Sequence, residues 1–145
     1  MIKIICIGKI KEKYLIDLIE DYKKRISKYH KIEIIELKDS NIIEEAKELS
    51  KVINPKEYNI CLDINSKEYN SVEFSNYIDD IFTNKNSTIC FIIGGSDGID
   101  NSIKSMCNDK ISFSKLTFPH GLFRGILLEQ IYRSFKIMNN ESYHK

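Results

Sequence analysis

The 145 residues fit one domain (1–145), and 42% hydrophobic with 30% charged residues is a balance that excludes a disordered chain. With 22 Lys and Arg against 21 Asp and Glu the formal net charge is +1, so this is no basic nucleic-acid coat, and any RNA contact must come from a local patch. No apolar run approaches the roughly 18 residues of a membrane span, and the first residues lack the charged start and long apolar core of a signal peptide, so a soluble, cytoplasmic protein without a membrane partner is expected.

Short β-rich runs alternate with longer helical patterns. Ile2–Ile7 is a compact apolar run closed by Gly8, the pattern of a buried strand. From Lys11 to Tyr29, Leu15, Leu18, Ile19, Tyr22 and Ile26 recur at helical spacing opposite a Lys/Glu face. Ile32–Leu37 alternates as a second strand. Asn41 followed by Glu44 has the form of an N-cap with its reciprocal acid, opening a helix to about Ile53, and Pro55 marks its end. Tyr58–Ile64 reads as a third strand before a turn at Asn65 and Ser66. Ser71 is placed to cap a helix that carries Val72, Phe74, Tyr77, Ile78 and Ile81 on one side. Thr88–Ile93 is the most apolar strand, stopping at Gly94-Gly95, with a helix expected over about Ile99–Asn108. A short strand at Ile111–Phe113 leads into a loop, and a last helix is expected from about Leu122 to Met138.

This alternation argues for an α/β sandwich around a mainly parallel sheet flanked by helices. In such sheets ligands bind beyond the carboxyl ends of the strands, which directs attention to the residues after Leu62, Ile93 and Phe113. Gly94-Gly95-Ser96-Asp97-Gly98 allows close backbone approach and opens a helix, but its spacing is not that of a dinucleotide fingerprint. The segment Phe113 to Gly121 mixes apolar side chains with free backbone groups, a combination suited to holding an adenine. The cysteines Cys6, Cys61, Cys90 and Cys107 show no C-x-x-C pairing, and no metal-ligand spacing or Ser-His-Asp arrangement appears, so no metal is expected. These residues alone reach an α/β domain with a small-molecule site built from three loops.

The run from Phe91 to Gly98, Ser112 to His120, Leu127 to Ile137 and the terminal Tyr143-His144-Lys145, taken in order with Ile7-Gly8-Lys9 and Leu62-Asp63, resembles the RlmH (YbeA) family along essentially the whole chain. The resemblance implies a SPOUT-type α/β knot, with a deep trefoil knot in the C-terminal half, acting as a homodimer. It implies an S-adenosyl-L-methionine-dependent methyltransferase that modifies N3 of a pseudouridine in a hairpin loop of 23S rRNA on the ribosome. Leu62, Gly94, Gly95 and the loop residues Phe113, Ser114, Lys115, Leu116, Thr117 and Phe118 are then expected to bind the cofactor. His144 with Tyr143 is expected to close over the target base, and Arg124 to orient the base or a phosphate. Gly121 and Gly125 depart from the family, where larger residues usually stand, and each is expected to weaken the start of the last helix by up to about 1 kcal/mol relative to Ala. Three readings compete: a ribosome-binding relative without turnover, a methyltransferase with another RNA target, and a flavodoxin-like domain binding a phosphate at the Gly94–Gly98 turn.

Overall fold

The computed structural model describes all 145 residues. Five strands, β1 (Ile2–Ile7), β2 (Ile32–Leu37), β3 (Tyr58–Glu68), β4 (Ile89–Ile93) and β5 (Asp109–Ser112), form one sheet in the order β2-β1-β4-β3-β5. Every adjacent pair is parallel. Five helices connect and cover the strands: α1 (Lys13–Ile26), α2 (Ile42–Val52), α3 (Ser71–Asn84), α4 (Asn101–Lys104) and α5 (His120–Met138).

The sheet is covered on both faces, which explains why β4 is apolar at every position and wholly buried. Alternation in the strands sends Ile4, Ile60, Phe91 and Ile93 to one face, where they meet Ile19 of α1, Phe74 and Ile78 of α3 and Leu127 and Ile131 of α5. Ile5, Ile7, Cys61, Cys90 and Ile92 go to the other, against Leu49 of α2 and Ile103 of α4. Each fully buried Ile or Leu contributes on the order of 1.5–3 kcal/mol, so the two apolar layers bind helices and sheet into one unit.

Helix boundaries follow local chemistry, sometimes at other residues than the spacing predicts. Asn41 caps α2 by accepting from the Glu44 N–H at 2.9 Å. At α3 the cap is Asn70 and not Ser71: Asn70 and Glu73 exchange side-chain-to-backbone hydrogen bonds of 2.8 Å each, while Ser71 Oγ donates to Gln130 on α5. The helix expected over Ile99–Asn108 shrinks to the single turn of α4. Asn108 is drawn instead to β3, where its Oδ1 accepts from the Asn59 N–H and its own N–H donates to the Asn59 carbonyl. β3 also runs farther than expected. Leu62 and Lys67 both pair with Ile111, so Asp63 to Ser66 bulge out of the ladder at the edge where the strands end.

Candidate cofactor site

A cavity of about 500 Å³ opens at that edge, within the range that takes a drug-sized ligand. Its walls are the β3 bulge, the loop after β4 and the segment between β5 and α5. Of the residues expected from sequence to bind a cofactor, the structure brings Leu62, Gly94, Gly95, Phe113, Ser114, Leu116, Thr117 and Phe118 to its lining, and leaves Lys115 outside.

Each wall is held by its own packing. A Cβ on Gly94 would stand 2.6 Å from Ile99 Cγ1 and 2.7 Å from the Gly98 carbonyl oxygen, so no side chain fits there without moving the loop. Gly98 has a φ of +80°, a value that favours glycine, and its N–H closes the turn onto the Gly95 carbonyl at 3.0 Å. Behind Gly95 lies the buried carboxylate of Glu45, anchored by the Ser40 N–H at 2.9 Å. Burial pushes the Glu45 carboxyl above its ordinary range, and the neighbouring Asp39 and Asp97 push the same way. In the third wall Phe113 packs edge-on to Phe74 and Phe123, and Phe118 stacks on Phe123. That packing explains two phenylalanines in a loop, while Leu116 stays 69% exposed.

The polar groups of the cavity were only partly legible beforehand. Asp63 is fixed by the Asn65 N–H at 3.2 Å, Ser66 Oγ at 3.3 Å and Lys104 Nζ at 3.2 Å. Burial opposes its ionisation, but the Asn65, Lys104 and Ser66 contacts outweigh burial and hold the carboxyl below the usual range. Lys104, Asp97 and His120 also line the cavity. Asp97 and His120 stand within the glycine turn and the Phe113 to Gly121 segment, whereas Lys104 comes from a separate stretch that carries no spacing signal. The start of α4 offers no free anion site: the helix is one turn long, and Asp100 already accepts from the Ser102 N–H.

The three residues expected to act on the RNA do not line the cavity. Arg124 is 2% exposed; its Nη1 donates to Glu36 at 2.6 Å and its Nη2 to the Gly8 carbonyl at 3.1 Å. Glu36 also accepts from the Ile10 N–H, so Arg124 ties the turn after β1, where Gly8 has a φ of +96°, to β2 and α5. The terminal Tyr143-His144 folds back on α5. Tyr143 packs edge-on to Tyr132 and donates to Glu129 at 3.1 Å, and His144 Nδ1 lies 3.0 Å from Arg133. Glu129, in turn, pairs with Arg133 one helical turn on, at 2.6 Å. No helix is long and apolar enough to cross a membrane, and no group of three His, Cys, Asp or Glu side chains is placed to hold a metal ion.

A family model described as "Predicted SPOUT methyltransferase" matches residues 1–144. The chain belongs to the SPOUT methyltransferases of the RlmH family. It is 47% identical to the "Ribosomal RNA large subunit methyltransferase H" of Clostridium beijerinckii and 45% identical to that of Clostridium tetani, with 99% of each chain covered in both comparisons. Among solved structures it is similar in fold to an A. aeolicus TrmH/SpoU tRNA modifying enzyme, with a TM-score of 0.50 and 12% identity over 95% of this chain and 77% of the other. The SpoU methyltransferase AviRb from Streptomyces viridochromogenes gives 0.52 and 9%, over 98% and 62%. The expected SPOUT α/β architecture is therefore the one observed.

Proposed function

We propose that this SPOUT protein is a 23S rRNA methyltransferase that uses S-adenosyl-L-methionine and modifies N3 of a pseudouridine on the ribosome, working as a homodimer with a trefoil-knotted C-terminal half. The observation that carries the reading is the cavity: eight residues assigned to the cofactor by family resemblance line one pocket at the sheet edge where a parallel fold binds ligands. Near-complete alignment with relatives named as large-subunit rRNA methyltransferases supports the substrate class.

The residues present fit the cofactor. Apolar Leu62, Ile93, Phe113 and Phe118 suit an adenine ring, and the close-packed glycine turn brings main chain up to the ligand. When bound, the sulfonium of the cofactor supplies an electrophilic methyl group. The protein's task is then to hold the pseudouridine N3 in line with that methyl group and to let its proton leave. We assign base closure to His144 and Tyr143. They stand on the polar ridge of Glu129 and Arg133, so they reach a cofactor cavity either by release from α5 or by facing the cavity of a second copy. Arg124 is buried, and its part in this reading is to hold the turn after β1 against α5.

The test is calorimetric titration with S-adenosylmethionine and S-adenosylhomocysteine, followed by transfer of labelled methyl to ribosomes that lack the modification. Saturable binding and one methyl per ribosome at a pseudouridine N3 are expected, with loss of turnover but not of cofactor affinity on deleting Tyr143–Lys145. Transfer to free tRNA in preference to ribosomes would reject the substrate. The reading without turnover rested on Gly121 and Gly125, and packing explains both: a Cβ would stand 2.7 Å from Leu15 Cδ1 at the first and 2.6 Å from Leu18 Cδ2 at the second.

A further inference from the structure

The cavity holds an uneven set of charges. Lys104 is the only Lys or Arg that lines it, and Asp63 and Asp97 are its only acids. Lys104 and Asp63 pair in its wall at 3.2 Å, one from α4 and the other from the β3 bulge. Both side chains are mostly shielded, at 24% and 15% exposed. The two groups are held differently. Asp63 is oriented by the Asn65 N–H and Ser66 Oγ, so its direction survives loss of the lysine, whereas Lys104 has no other salt-bridge partner. A compact ammonium on a flexible stem can swing to a new anion, while the carboxylate stays fixed.

This arrangement complements an α-amino acid. A free ammonium and a free carboxylate arriving together let each protein charge exchange one counter-charge for another. Neither is then left shielded and alone, the situation that makes breaking such a pair costly. The proposed cofactor carries that group on its methionyl arm, together with a positive sulfonium. One cation and two acids in the lining match one carboxylate and two cationic centres in the ligand.

Building on the cofactor reading above, we propose that Lys104 and Asp63 form a zwitterion clamp, in which Lys104 takes the α-carboxylate and Asp63 the α-ammonium of the methionyl arm. The clamp makes the site selective for S-adenosylmethionine and S-adenosylhomocysteine over nucleosides that carry the same adenosine and thioether without the amino-acid group.

The experiment is calorimetry with S-adenosylhomocysteine and with 5′-methylthioadenosine, on the wild-type protein and on Lys104→Met and Asp63→Asn. The wild type is expected to bind the homocysteine compound more tightly. Each substitution should weaken that compound by about ten-fold or more, the scale of a lost charged hydrogen bond, and leave methylthioadenosine within about two-fold. Lys104→Arg should restore part of the selectivity. Equal weakening of both ligands would show that the pair only shapes the wall, and unchanged affinity for the homocysteine compound would show that it is not read there; either result overturns the clamp. If the wild type binds methylthioadenosine as tightly as the homocysteine compound, the clamp fails alone. If it binds neither, the cofactor reading fails and the clamp with it. Asp63→Asn preserves shape and tests the same point should Lys104→Met not fold.

Discussion

Two glycines on α5 show how differently a residue reads in sequence and in place. As helix residues, Gly121 and Gly125 are weak points. In the structure they are the contacts that let α5 lie against α1, with Leu15 and Leu18 filling the space that side chains would occupy. The obstructing atoms at Gly125 belong to one leucine side chain, so Gly125→Ala should be nearly neutral, small crowding being offset by helix propensity. Gly125→Val has no such room and should cost about 1–3 kcal/mol, read as a lower urea midpoint at unchanged slope. A Val variant as stable as the wild type would show that the helices are not held this closely. Arg124 allows a sharper separation. If it holds Gly8 and Glu36 as the geometry shows, Arg124→Lys loses one of the two anchor points and should lower stability by about 1–2 kcal/mol while cofactor affinity holds. Loss of ribosome methylation with undiminished stability would instead return Arg124 to the RNA, the role expected from family resemblance.

At the scale of elements, periodicity places all ten, and two of the misjudged ends share a cause. The shortening of α4 and the β3 bulge depend on partners distant in sequence, Asn59 for Asn108 and Ile111 for both Leu62 and Lys67, whereas the cap at Asn70 is a local box with Glu73 three residues on. The contact of Cys61 and Cys107, whose sulfurs lie 2.8 Å apart between β3 and the turn after α4, is hidden in the same way. Spacing along the chain carries no trace of such pairings. The cofactor loops were legible because glycine and aromatic residues cluster at strand ends; the Asp63–Lys104 pair was not, because its members come from separate segments.

A titratable junction between elements yields another prediction. His30, in the turn between α1 and β2, stacks on Phe82 of α3 at 4.3 Å and on Phe135 of α5 at 5.1 Å. Burial lowers its pKa from the ordinary 6.5, and the nearby N-terminal ammonium adds to this. The folded protein therefore releases the His30 proton at a pH where the unfolded chain still holds it. Its contribution is complete above about pH 6.5 and is lost as pH falls through the lowered value. Melting temperature should decline as pH falls below 6.5, and His30→Phe, which keeps the stack without the titration, should flatten that decline. An unchanged slope in the variant would place the acid sensitivity elsewhere.

For the whole molecule, the proposed homodimer needs a face on which a second copy docks. The Gly121 contact with Leu15 and Ile10 sets the start of α5 against the start of α1. Tyr14 and Leu122, adjacent in sequence to those contacts, are 71% and 39% exposed, and Leu116 lines the cavity nearby. Scattered exposed apolar residues need no explanation, but in the proposed homodimer Tyr14, Leu122 and Leu116 are the exposed side chains a second copy would cover. A second copy docked there would bury them and bring another α5 and tail toward this cavity, which the assigned roles of Tyr143 and His144 require if the tail stays on its ridge. Light scattering should then give twice the monomer mass, and Leu122→Glu or Tyr14→Glu should shift it toward the monomer, since a buried unpaired carboxylate costs several kcal/mol. Methyl transfer should fall in step with the dimer fraction, while thermal stability measured at low concentration, where both forms are monomeric, changes little. A wild type that is monomeric yet fully active would reject the interface and require the tail to reach the cavity by leaving its own helix.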